Sequence, residues 1–139
     1  MPFDQRQPPW GYGRGVRQPR PGPGIGHALT PEQELACALR ICARAGWHEN
    51  LSGHITVATA DDGMLCNPWG MWWEEVTTSD VLRLDADGEV VQGRWDVTPA
   101  VFLHTELHRA RSDATVIVHA RTHDGDQAAE GGSGILILP

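Results

Sequence analysis

The chain has 139 residues and a formal net charge of −7, with 18 acidic residues against 11 basic ones. That length suffices for one domain with its own core, and the acidic balance argues against nucleic acid as the main partner. Every basic residue is arginine; without lysine there is no Schiff-base aldolase or pyridoxal chemistry, and no Walker-type phosphate loop.

Residues 1–28 are rich in proline, glycine and arginine. Four arginines against Asp4 leave this stretch at +3, so the remainder carries −10. Such a composition buries too little apolar surface to order alone, and it reads as a disordered, solvated arm. Cys37, Cys42 and Cys66 form no Cys-x-x-Cys pair. With no export signal at the start and no apolar run near the ~18 residues of a membrane span, they read as reduced thiols of a cytoplasmic protein.

Ordered structure is expected from Thr30. Thr30-Pro31-Glu32-Gln33 is a helix start: threonine as N-cap, proline in the first turn, glutamine to close a capping box. Leu35, Ala38, Leu39 and Cys42 share a face, and Gly46 ends the helix. Ile55 to Thr59 alternates as a strand, Asp61-Asp62-Gly63 turns, and Met64-Leu65-Cys66 returns. Asn67-Pro68-Trp69-Gly70 breaks the pattern. A second hairpin runs from Val81 to Asp85 and from Glu89 to Gln92 around Asp87-Gly88. Thr98-Pro99 repeats the threonine–proline helix start, and that helix reaches about Arg111, with Val101, Leu103, Leu107 and Ala110 available to the core. A β-branched strand from Thr115 then stops on His119.

The order helix, hairpin, hairpin, helix, strand predicts an α/β layered domain with a mainly antiparallel sheet. The domain is expected over residues 29–125, followed by a divergent tail over 126–139. Ile135 to Leu138 makes a poor final element. A sheet ending at the Val116–Val118 strand would leave an unpaired edge there, which predicts low solubility.

Several residues could carry chemistry. His119 closes a buried strand, where a second ligand two residues on would face the same way, roughly 6.5–7 Å distant. That position is Arg121, a permanent cation. His123 reaches the same ion only if the chain turns sharply. His104 and His108 stand at i and i+4 on one helix face, a spacing that can chelate a metal and that equally suits partly buried helix histidines. Asn50-Leu51-Ser52-Gly53 reads as a capped turn or as a loop offering N–H groups and a hydroxyl to an anion. Trp69, Trp72 and Trp73 belong to a core, an interface or a pocket wall.

Taken in order, Glu49 to Gly53, Asn67 to Gly70, Thr77 to Asp80, Gly93 to Pro99, Leu103-His104, Arg109 to Ala114 and Val116 to His119 resemble the class II aldolase/adducin family over about residues 29–119. The resemblance implies a three-layer α/β/α sandwich, here shortened at the C-terminus, and a homotetramer with sites between subunits. It implies a divalent metal, zinc, held by histidines and polarising a substrate carbonyl, which is carbon–carbon lyase chemistry. Asn50 and Ser52 match the family's phosphate-binding loop, Gly70 a second such turn and Thr98 a neighbouring serine. His119 matches the first metal histidine; His123 takes the part of the second if two residues are inserted. Ala100 stands where the lyases carry their catalytic glutamate, and the third histidine would fall beyond Pro139. The expected function is a metal-dependent lyase acting by retro-aldol cleavage or decarboxylation on a small hydroxy-acid or carbonyl compound, weak or inactive in this shortened chain. The alternative is a non-catalytic, adducin-like binding module. No membrane partner is expected.

Overall fold

The computed structural model describes residues 28–47, 53–121 and 133–139. Helix α1 spans Pro31–Arg44. The Thr30 hydroxyl accepts from the Gln33 N–H at 3.3 Å and the Gln33 side chain accepts from the Thr30 N–H at 2.9 Å, closing the capping box. Gly46, at φ +79°, takes the left-handed conformation just past the helix end. The face that packs inward carries Leu35, Ala36, Leu39 and Ala43, with Cys42 partly buried against the same core, so Ala36 and Ala43 add to the expected face.

The strands are β1 (His54–Ala58), β2 (Met64–Cys66), β3 (Leu82–Leu84), β4 (Val90–Gln92), β5 (Val116–Arg121) and β6 (Ser133–Leu138). They form one sheet in the order β4-β3-β2-β1-β5-β6, and every pairing is antiparallel. Helix α2 (Val101–Ala110) precedes β5.

Strand alternation assigns the two sheet faces. Ile55, Leu65 and Val118 pack with Leu35, Leu39 and Ala43 of α1, together with Trp73, Val76 and Val81. Met64, Cys66, Leu82 and Leu84 project to the other side and meet Val101 of α2. Helices therefore cover both faces of a mainly antiparallel sheet, an α/β/α sandwich. Truncating a core anchor such as the fully buried Leu39 to alanine costs about 2–5 kcal/mol. Among the described residues, no helix is long and apolar enough to cross a membrane.

Three expectations need correction. Residues 135–138 do form a regular element: β6 pairs along all of β5, with Val118 opposite Leu136 and Ile117 opposite Ile137. The Val116–Val118 strand is consequently flanked on both sides, by β1 and β6, and is not an edge. An unbroken apolar run carries no period-two signature, which is why β6 was not legible. Helix α2 buries Val101, His104 and Thr105, while Leu103 is exposed. Its inward face is polar because it meets a polar patch of the sheet.

Candidate metal centre

That patch is built by register. His54 begins β1 and His119 lies near the end of β5, and the two are direct cross-strand partners. The alternation that turns Ile55 and Val57 toward α1 turns His54 and Thr56 toward α2. Across the ladder, Ile117 and His119 share that face. His104, on the inner side of α2, lies against His54, which stands between it and His119.

The three rings are close. Centroids are 4.2 Å apart for His54–His104, 5.0 Å for His54–His119 and 6.3 Å for His104–His119. One ring nitrogen from each lies within 4.8 Å of the others. His54 and His104 are essentially inaccessible, at 1% and 0% exposure, and His119 is half-buried. Burial, then the neighbouring His54, His119 and His108, pushes the His104 pKa down to about 3. His104 is therefore neutral at physiological pH and keeps a nitrogen lone pair. Its Nε2 is buried with no hydrogen-bond partner among the described residues.

This donor set fits a divalent ion. Zinc–nitrogen bonds of about 2.0–2.1 Å in a tetrahedral arrangement place ligand nitrogens roughly 3.3 Å apart. Closing from 4.8 Å or less needs only small side-chain rotations. Three imidazoles without thiolate suit zinc and its transition-metal neighbours better than magnesium or calcium.

The strand end that carries His54 is fixed from behind. Asn67, buried, accepts from the Ile55 N–H at 2.8 Å and donates to the Gly53 carbonyl at 3.2 Å. Trp73 Nε1 donates to the same carbonyl at 2.9 Å. A Cβ on Gly53 would sit 2.8 Å from the Trp73 ring, so only glycine permits this approach.

Residues 33–131 match the Class II Aldolase and Adducin N-terminal domain. The chain belongs to the class II aldolase/adducin family. Over 110 residues it is 34% identical to an adducin-related protein of Schizosaccharomyces pombe, covering 67% of this chain and 33% of that protein. Over 92 residues it is 39% identical to decarboxylase NovR of Streptomyces niveus, covering 63% of this chain and 34% of the relative. An aldolase II superfamily protein from Pseudomonas syringae superposes with a TM-score of 0.62 at 27% identity, over 70% of this chain and 43% of that structure. The chain thus spans about a third of the two curated relatives.

Family resemblance led to some of these positions and not to others. His119 is in the cluster. His123, Asn50 and Ser52 lie outside the described residues. Gly70 has φ +78°, and beside it the Trp69 N–H donates to the Asp96 carbonyl at 2.9 Å, tying the 67–70 turn to the segment before α2. Trp69, Asp96, Thr98, Pro99 and Phe102 line a common cavity of about 460 Å³. Ala100 occupies the N-cap of α2 and contributes no side-chain cap. His104 and His108 do not act as a chelating pair; His108 lies behind Thr56. The partners of His119 are instead His54 and His104, brought in by β1–β5 pairing and by the packing of α2. The available signals were a histidine opening a strand after Gly53 and a histidine one turn after the buried Val101.

Proposed function

We propose that this chain is a metal-dependent carbon–carbon lyase of the class II aldolase/adducin family, with His54, His104 and His119 holding a zinc ion. One observation carries the reading: three imidazoles from three elements converge, two of them fully buried. A hydrophobic core accepts such polar groups only when they are hydrogen-bonded or coordinating. A divalent ion there would supply Lewis-acid polarisation of a carbonyl.

The cavity lined by Trp69 and Thr98 suits a small hydroxy-acid or carbonyl compound bearing an apolar or aromatic group. Trp69, Pro99 and Phe102 give it apolar walls. Thr98 Oγ1 accepts from the Ala100 N–H at 3.3 Å, leaving its own O–H to donate to a substrate oxygen. Ala100 favours decarboxylation over retro-aldol cleavage. Retro-aldol cleavage must take a proton from a hydroxyl, a task for a general base; alanine at position 100 offers none, which leaves only Glu89 and Asp96 among the cavity-lining residues. Decarboxylation starts from a carboxylate already ionised at neutral pH. The similarity to decarboxylase NovR supports the same choice. In this reading Asn50 and Ser52 bind the substrate, and the working form is a cytoplasmic homo-oligomer. The exposed Trp69, Trp72, Trp95, Phe102 and Leu103 supply apolar surface for subunit contact.

A second reading, a binding module of adducin type, is favoured by one observation: among the described residues the cluster comprises three imidazoles and no carboxylate. Metal analysis separates the two. About one zinc per chain, lost in His54→Ala and His104→Ala, together with carbon dioxide release from a panel of aromatic hydroxy- and keto-acids, supports the lyase. Metal-free protein whose fold is indifferent to chelator supports the module and overturns the lyase.

A further inference from the structure

Thr56, at 0% exposure, lies between two histidines that serve different ends. Its hydroxyl oxygen is 2.7 Å from His104 Nδ1 and 2.9 Å from His108 Nε2. The other nitrogen of His108, Nδ1, is 3.1 Å from the Ala114 carbonyl. These contacts form one chain, and its proton positions follow from which atoms can donate.

A carbonyl oxygen only accepts, so His108 Nδ1 carries a hydrogen. Both hydrogen-bond partners of His108 are uncharged, and burial draws its pKa down, which keeps the ring neutral. A neutral ring protonated at Nδ1 has a bare Nε2, which must accept. Thr56 owns a single hydroxyl hydrogen and gives it to that nitrogen. The Thr56 oxygen is then an acceptor toward His104, so His104 Nδ1 carries the hydrogen and donates. His104 Nε2 is buried with no acceptor among the described residues to receive a second hydrogen, so it is bare. The opposite direction along the chain would require a doubly protonated His108 with no anion against it.

We propose that Thr56 and His108 are positioning residues that hold His104 in its Nδ1–H tautomer, leaving Nε2 as the nitrogen free to bind a metal ion. His108 anchors the direction of the chain on the Ala114 carbonyl, and Thr56 transmits it. The consequence for metal binding rests on the proposed reading of His54, His104 and His119 as a metal centre; the tautomer itself does not. Outer groups that fix a ligating imidazole in this way typically change metal affinity by about 10–100-fold when removed.

The test is nitrogen-15 NMR of the histidine rings in the full, metal-free chain near pH 7.5, alongside zinc titration. His104 is expected to show a protonated Nδ1 and a bare Nε2. Thr56→Val, which removes the hydroxyl at nearly constant volume, is expected to raise the Nε2–H population and to weaken zinc binding about 10–100-fold. Thr56→Ser is expected to restore both, a rescue that a packing role alone would not produce. A His104 ring protonated at Nε2 in the wild-type chain overturns the proposal, whether or not the variants fold. So does a Thr56→Val protein with an unchanged tautomer. A wild-type chain that takes up no zinc while showing the Nδ1–H tautomer defeats the metal-centre reading and leaves the proton arrangement established.

Discussion

At the scale of single residues, the site depends on groups that never touch a ligand. Gly53 precedes His54, and its carbonyl receives two buried donors, Asn67 and Trp73. Its missing side chain lets the Trp73 ring sit where a Cβ would be 2.8 Å away. Gly53→Ala must push a tryptophan that is 2% exposed and break its hydrogen bond. Overpacking of this kind costs about 1–3 kcal/mol. We expect a melting temperature lower by roughly 5–10 °C, with zinc affinity reduced in parallel because His54 moves with the strand end. A variant melting with the wild type would mean that the tryptophan yields freely. His119 was legible because a histidine ending a β-branched run is a local pattern. His104 was legible only as a possible chelating partner of His108; its meeting with His54 was not, because that depends on β1 pairing with a strand far along the chain and on which side of α2 turns inward.

At the scale of elements, local chemistry was the readable part. The Thr30–Gln33 capping box, the Asp61–Gly63 turn and the Asp87–Gly88 hairpin are short-range devices, and each places its element. The Thr77–Asp80 turn does more than the sequence suggested. Asp80 is buried and accepts from the Thr77 hydroxyl at 2.6 Å, the Thr77 N–H at 3.0 Å, Trp95 Nε1 at 3.0 Å and Arg94 Nη2 at 3.2 Å. It ties the turn before β3 to the segment between β4 and α2. The Thr77 hydroxyl is the main cause, opposed by burial and reinforced by the other donors, in holding its pKa down at about 2 against an ordinary 3.8. A depressed carboxylate stabilises the folded state above its unfolded pKa, and that contribution fades as pH falls through the folded value. Asp80→Asn should therefore be less stable than wild type at pH 7 by about 1–3 kcal/mol. The gap should narrow between pH 4 and pH 2. Urea midpoints of both proteins across that range check this; a gap independent of pH would show that the carboxylate's charge plays no part.

At the scale of the molecule, the layered α/β architecture follows from element order and patterning, whereas the extent of the sheet does not. The last strand has no alternation to announce it, so its place is settled only by pairing with β5. That pairing relocates the edge problem. Among the described residues the outer strands are β4 and β6, and β6 exposes Ile135, Leu136 and Leu138. Unpaired backbone groups beside apolar side chains are a template for association with another chain. The net charge of −7 opposes this by repulsion, but not locally, since Ile135 to Leu138 carries no charge at all. Leu138 is the most suitable position for a gatekeeper: it is 40% exposed, and its backbone carbonyl, which accepts from the Thr115 N–H at 2.9 Å, is unaffected by a side-chain change. Leu138→Glu adds negative charge to the open edge and leaves the β5 ladder intact. We expect concentration-dependent light scattering to fall while the melting temperature moves by less than about 3 °C, as for a surface substitution. Scattering that persists undiminished, with the fold retained, would locate the sticky surface elsewhere, on the β4 edge with Val90 and Val91 or on the tryptophan face.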